Sequence, residues 1–261
     1  MTAVRTLYEE DGSATVMIDR PPVNALDLPA LEELYGELGD VRRREDLAVL
    51  VLTGAGERAF CAGADVRETL TESEASYRAE LWSSILERLT SLEMPVVAAV
   101  NGACLGSGIG LITHADLRMA VDRATFGLPE IDVGRSGGAA HLRRFTHEGT
   151  VRRMMLTGQP LSARDAQRVG LVDYLVEQSD WPHAVDRLRR ELVLATATVL
   201  RGAKKLLNES WALSHREART GGPLEAANAA VSSQDRIVPF IGENTISVDQ
   251  SRAAVREAPQ V

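Results

Sequence analysis

Residues Val100–Leu111 read VNGACLGSGIGL and continue directly from the apolar run Pro95–Val100, PVVAAV. A short run dense in valine reads as a buried strand, and Asn101-Gly102 behind it reads as a turn. Gly106-Ser107-Gly108 then opens a helix that continues through Leu111 and Ile112. The first N–H groups of a helix have no partner within it and sit at its positive end, so the Ser107 N–H is suited to hold an oxyanion. The segment is not a dinucleotide fingerprint, because Leu111 stands where the last glycine of G-x-G-x-x-G belongs. Nor does it carry the Lys-Ser/Thr of a phosphate-binding loop. One glycine-rich strand-to-helix turn is a weak signal by itself.

Upstream, the chain alternates similar strands with helices. Ala14–Asp19 (ATVMID) and Ala48–Thr53 (AVLVLT) read as buried strands. Leu28–Arg44 carries Leu31, Leu34, Tyr35, Leu38 and Val41 on one helical stripe, and Glu74–Leu92 carries Leu81, Ile85, Leu86, Leu89 and Leu92. Strand–helix–strand alternation implies βαβ units with right-handed crossovers. Beyond Val176 the chain reads as almost wholly helical: Trp181–Ala195, Thr198–Ser214, Glu217–Asp235 and a weaker Ser247–Ala258, with Gly221-Gly222-Pro223, Pro239 and Gly242 as breaks. A helical tail that cannot bury its own apolar stripe packs on a neighbouring copy, which implies an oligomer.

Two further segments stand out. Phe60–Glu68 (FCAGADVRE) follows the strand AVLVLT, and its small residues Ala62, Gly63 and Ala64 let the backbone approach a ligand. A tight strand-to-helix turn explains the same residues equally well. In Thr125–Gly138 (TFGLPEIDVGRSGG), Glu130 is either solvated in a loop or held in a pocket where desolvation makes it a useful base. Taken alone, the first segment does not decide between its readings, and for a lone Glu after Pro the solvated loop is the better one.

Composition narrows the field. The 261 residues are 44% hydrophobic, enough for a substantial core, and carry a net charge of −8. That balance argues against a nucleic-acid partner, and Arg42-Arg43-Arg44 and Arg143-Arg144 read as solvated helix faces. The N-terminus has no apolar signal core, and no run reaches the ~18 apolar residues of a membrane span. Cys61 and Cys104 make no disulfide framework, and no Cys/His set has metal-ligand spacing. A cytoplasmic protein without a metal is expected, and both cysteines are expected to pack as small apolar residues.

The three segments occur in order with RPPVNALD (Arg20–Asp27), ADLRMA (Ala115–Ala120), LTGQPLSARDAQRVGLVD (Leu156–Asp173) and RGAKKLLNE (Arg201–Glu209). This combination closely resembles the crotonase superfamily, the enoyl-CoA hydratase/isomerase family. The resemblance implies an α/β fold, a crotonase-like ββα spiral core over residues 1–190. A C-terminal helical trimerisation region over 191–261 completes a homotrimer or homohexamer.

It also implies an acyl-CoA substrate, with no cofactor beyond the coenzyme A of that substrate. By the same resemblance the backbone N–H groups of Ala64 and Ser107 should form the oxyanion hole, one such donor being worth ~3 kcal/mol in a transition state. Val23, Ala25, Leu26, Ala62, Asp65, Val66 and Arg67 line the coenzyme, with the adenine near Val23 and Ala25. Hydratases of the family use two glutamates. Here one is Glu130, and the other position falls on Gly110.

A single glutamate resembles the isomerases that move a 3-enoyl double bond to the 2-position. The hydroxycinnamoyl-CoA hydratase-lyases share that arrangement, and the Asp of dienoyl-CoA isomerases would fall at Gly138. The expectation is an enoyl-CoA isomerase or hydratase with Glu130 as its acid/base; decarboxylase and thioester hydrolase are alternatives. A non-catalytic acyl-CoA-binding scaffold is the reading of another class, and Glu130 beside an intact oxyanion pattern counts against it. Asp132 would share the side of Glu130 if the segment were extended. His141, with Ser136 just upstream, is expected on a helix surface or at a cap, and His114 packed beside ADLRMA.

Overall fold

The structure is a computed structural model that describes residues 2–134, 140–195 and 197–210. It opens on an antiparallel pair, β1 (Val4–Tyr8) and β2 (Ser13–Ile18), with Val4 opposite Ile18. Helix α1 (Leu28–Arg42) begins where Asp27 Oδ1 accepts the Ala30 N–H at 3.0 Å and Pro29 sits in the first turn. It buries Leu31, Leu34, Leu38 and Val41 of the expected stripe.

From there the chain repeats a strand–strand–helix unit. The first unit is β3 (Val49–Gly54), β4 (Ala59–Cys61) and α2 (Glu72–Ser91). The second is β5 (Val96–Val100), β6 (Ala103–Leu105) and α3 (Ser107–Ile112). The third is β7 (Leu117–Val121) and β8 (Thr125–Gly127), followed by 3-10 turns at Pro129–Val133 and Ala140–Arg144 and by α4 (Glu148–Thr157). Then come β9 (Leu161–Ser162), α5 (Ala163–Arg168), β10 (Tyr174–Val176), α6 (Trp181–Leu194) and α7 (Ala197–Ser210). The first strand of each unit joins a six-stranded sheet, β1-β2-β3-β5-β7-β10, and the second joins a four-stranded sheet, β4-β6-β8-β9. This is the expected ββα spiral. Plain βαβ alternation missed the second sheet, because its three-residue strands are too short to display a period.

Strands β3 and β5 are buried on both faces, as parallel strands inside a layered α/β fold must be. Leu50, Leu52, Val96, Ala98 and Val100 face the main core, which α1 and α2 cover. Their alternates Val49, Val51, Val97 and Ala99 face the other way, onto Ala184 and Leu188 of α6. Helix α2 starts two residues before its expected start, because Thr71 and Glu74 form a reciprocal capping box. Helix α7 is fastened to the core. The buried Lys204 Nζ donates to Met94 O at 3.0 Å and pairs with Asp116 at 2.7 Å, and Arg201 donates to Glu45 O at 2.5 Å. The helices expected at 217–235 and 247–258, the breaks at Pro239 and Gly242, and Ser136 and Gly138 lie outside the described residues. Among those described, no helix is long and apolar enough to cross a membrane, and no cluster of His, Cys, Asp and Glu could hold a metal.

Candidate active site

Strands β4, β6 and β8 lie side by side and parallel, with Cys61 paired to Cys104 and Leu105 to Gly127. The three glycine-bearing segments are what leave the carboxyl ends of these strands: Ala62–Ala64, Gly106–Ser107 and Leu128–Glu130. The carboxyl edge of a parallel sheet is where α/β folds place ligands, since the following backbone splays apart there.

The first two segments meet through backbone. Leu26 donates to Gly63 O at 2.8 Å and accepts the Asp65 N–H at 3.0 Å, a parallel bridge in which Leu26 faces Ala64. In that pattern Ala64 turns its own N–H and C=O away from Leu26. Gly63 has φ +93°, and a Cβ built on it would stand 3.5 Å from Ser107 N. Only glycine permits both that dihedral and that approach. Neither the Ala64 nor the Ser107 N–H donates to a described residue. Both expected donors are thus free and lie on adjoining segments.

Glu130 enters from the third segment. Pro129 sets the first position of the 3-10 turn, and Gly134 closes it through its N–H to Ile131 O at 3.2 Å. The carboxylate is carried against Gly106, where a Cβ would lie 3.1 Å from Oε1. Its Oε2 is buried and has no hydrogen-bond partner. Buried carboxylate oxygens are seldom left so, and an unmatched acceptor in one cavity with an unmatched donor, Ser107 N–H, is the composition of a candidate reaction site. Glu130 and Ser107 share a cavity of about 70 Å³, lined also by Trp82, Gly106, Gly110 and Leu128; Ala64 lies on the adjoining segment and does not line it.

A family model for enoyl-CoA hydratase/isomerase matches residues 9–232. The chain belongs to the enoyl-CoA hydratase/isomerase family. It is 33% identical over 209 residues to the short-chain-enoyl-CoA hydratase of Clostridium acetobutylicum, covering 77% of this chain and 80% of that one. It is 30% identical to the mitochondrial 3-hydroxyisobutyryl-CoA hydrolase of Danio rerio, over 97% of this chain and 68% of the relative. The crystal structure of an enoyl-CoA hydratase from Bacillus anthracis superposes with a TM-score of 0.82 at 27% identity, covering 88% of this chain and 90% of the other.

Within this family member, Trp82, like Thr113, is a lining residue that the sequence did not reveal. It sits on α2, one position off the buried stripe of Leu81, Ile85 and Leu89 and outside every glycine segment. A Cβ built on Gly110 would stand 2.6 Å from its Cζ2, so the indole already fills the space beside the glycine. The expected vacancy at Gly110 is therefore occupied, and Glu130 is the only carboxylate lining the cavity among the described residues.

The residues expected to line the coenzyme divide into rim and anchor. Val66 and Arg67 are exposed, and Val23 and Ala62 are half-buried, with the Ala62 N–H bonded to Val23 O at 3.1 Å. Ala25 and Leu26 are buried, and the Leu26 side chain lies in the main core. An aliphatic chain there is drawn inward, so Leu26 serves through its backbone and presents no side chain to a ligand. Asp65 also faces inward. Its carboxylate accepts Arg67 N–H at 3.0 Å and Arg20 at 2.9 Å, while Arg20 bonds Asp27 at 2.5 Å. The Arg67 backbone N–H, helped by the Arg67 and Arg20 guanidiniums, holds the Asp65 carboxyl down at about 2. Arg20, which also donates to Ala25 O, thereby clamps the Val23–Leu26 loop to the Phe60–Glu68 segment. Arg78 does the same from α2, pairing with Glu68 and donating to Leu26 O at 2.9 Å.

Asp132 does not share the side of Glu130. At three residues per turn, positions two apart diverge. Its carboxylate rests against Gly158 instead, 2.9 Å from where a Cβ would stand. His141 packs ring to ring with His114, centroids 4.2 Å apart, and His114 Nδ1–H donates to Gly110 O at 2.7 Å. Cys61 and Cys104 are fully buried core residues, as expected.

Proposed function

We propose that the chain is an acyl-CoA enzyme that gathers charge on a thioester oxygen and moves a proton with Glu130, shifting a 3-enoyl double bond to the 2-position. The observation that carries this reading is the buried, partnerless Oε2 of Glu130 in a cavity shared with the unused Ser107 N–H. The thioester oxygen sits between the Ala64 and Ser107 N–H groups. Glu130 takes a proton from C2, and the electron pair of that C–H bond flows through the carbonyl to form a dienolate. The two donors stabilise this oxyanion, each by about 3 kcal/mol. Protonated Glu130 then delivers the same proton to C4, so the double bond moves and the carboxylate is regenerated. Hydration divides its work between two carboxylates, and the indole against Gly110, which a side chain there would meet, supports the reading with one.

Val23, Ala25, Ala62, Val66 and Arg67 form the coenzyme side of this site. The same reading makes the protein a cytoplasmic homotrimer or homohexamer assembled through its C-terminal helices. Thioester hydrolysis is the second reading, favoured by the 30% identity to a relative named as a hydrolase. The test is a panel of 3-enoyl-, 2-enoyl-, aryl-enoyl- and malonyl-CoA followed by absorbance and mass. The 3-enoyl thioester should react fastest, and Glu130→Gln should abolish turnover while binding persists. Faster hydration of the 2-enoyl thioester, or release of free coenzyme A, overturns isomerisation. Unchanged turnover in Glu130→Gln removes the base.

A further inference from the structure

One part of the wall of the Glu130 cavity is built from two elements distant in sequence. A Cβ on Gly110 would meet Trp82 at three ring atoms, at 2.6, 3.3 and 3.6 Å. Gly110 is thus a dent in α3 that receives the six-membered ring of the indole. The ring is held in place through its helix: Leu81, Ile85 and Leu89 are buried in the main core, and Arg78, one turn earlier, is tied to Glu68 and Leu26 O. Besides Glu130, Gly106, Ser107 and Gly110, the lining is Ile109, Leu128, the indole and Thr113, whose hydroxyl already donates to Ile109 O at 2.9 Å. Ile109, Leu128 and the indole are the apolar part of a cavity whose exposed surface is otherwise mostly polar. Its volume, about 70 Å³, is room for a handful of water molecules at roughly 10–15 Å³ each.

We propose that Trp82 is the closing wall of the acyl pocket and restricts the site to short acyl groups. The inference rests on the reading of the Glu130 cavity as an acyl-CoA site. A chain that extends past the indole must displace it, and α2 is pinned on both sides of Trp82. One methylene too many in such a pocket costs about tenfold or more.

The experiment is calorimetric titration of the full chain with saturated acetyl-, butanoyl-, hexanoyl-, octanoyl- and decanoyl-CoA, which have no double bond to move. Wild type should bind the short thioesters and lose affinity beyond butanoyl. In Trp82→Ala, octanoyl- and decanoyl-CoA should gain at least about tenfold relative to butanoyl-CoA. Trp82→Leu and Trp82→Phe keep an apolar side chain, and carry the same comparison if the alanine variant fails to fold. A wild type that binds decanoyl- as tightly as butanoyl-CoA overturns the inference and leaves the acyl-CoA reading standing. So does an unchanged length profile in the folded Trp82 variants. A wild type that binds none of the five sinks the acyl-CoA reading, and the inference with it.

Discussion

The carboxylate of Glu130 lies against the backbone of Gly106, close enough that a Cβ there would stand 3.1 Å from Oε1. Gly106 also holds φ +53° and donates its N–H to Gly127 O at 3.0 Å, which ties the second segment to the third. Its ψ of −111° puts it outside the left-handed helical region, so Gly106→Ala strains the backbone by about 1–3 kcal/mol and pushes the carboxylate aside. Displacement of a reacting group by about 1 Å costs on the order of 10²-fold in rate. We expect kcat to fall by that order while the fold is retained. A variant with wild-type kcat would separate Glu130 from the chemistry.

Trp82 and Gly110 should be coupled energetically. Gly110→Ala overpacks the contact with the indole and is expected to cost about 1–3 kcal/mol in urea unfolding. Removing the indole removes the clash, so Trp82→Ala/Gly110→Ala should be more stable than the sum of the single effects by about 0.5–3 kcal/mol. Additive effects would mean that the ring moves freely away from α3.

Asp65 ties stability to acid. Its folded-state pKa lies below the ordinary 3.8, at about 2. The carboxylate therefore contributes stability that is full above 3.8 and is lost as pH falls through about 2. Asp65→Asn should cost about 1.5–3 kcal/mol at neutral pH, the scale of hydrogen bonds to a charged group. The gap between variant and wild type should close across that acid range. A gap independent of pH would mean that the ion pairs with Arg20 and Arg67 contribute nothing.

The histidine pair acts at milder pH. Burial first, then His141 and Arg144, push the His114 imidazole below its ordinary 6.5, against the bond to Gly110 O that favours its charge. His141 moves the same way, through burial and Arg144. As pH falls below 6.5 the unfolded chain binds protons that the folded chain resists, so stability declines. Replacing both by phenylalanine should flatten the dependence of the urea midpoint on pH on either side of 6.5. An unchanged slope would assign that dependence to other groups.

Much of the fold was legible along the chain because helices and long buried strands write their environment into nearby residues. The stripe of Leu31, Leu34, Leu38 and Val41, the cap at Asp27 and the valine runs of β3 and β5 each need only local sequence to be read. The same holds for the glycine segments and for Glu130, whose order resembles a known family. What tertiary structure alone decided is how residues far apart in the chain share space. Three-residue strands carry no period, so the second sheet, which brings Ala64, Ser107 and Glu130 to one edge, became visible only in three dimensions. Asp132 left the side of Glu130 because the segment coils as a 3-10 turn. Gly110, which reads as a missing carboxylate, became a receiving dent for Trp82. That pairing depends on two helices packing face to face, and neither residue's neighbours in sequence record it.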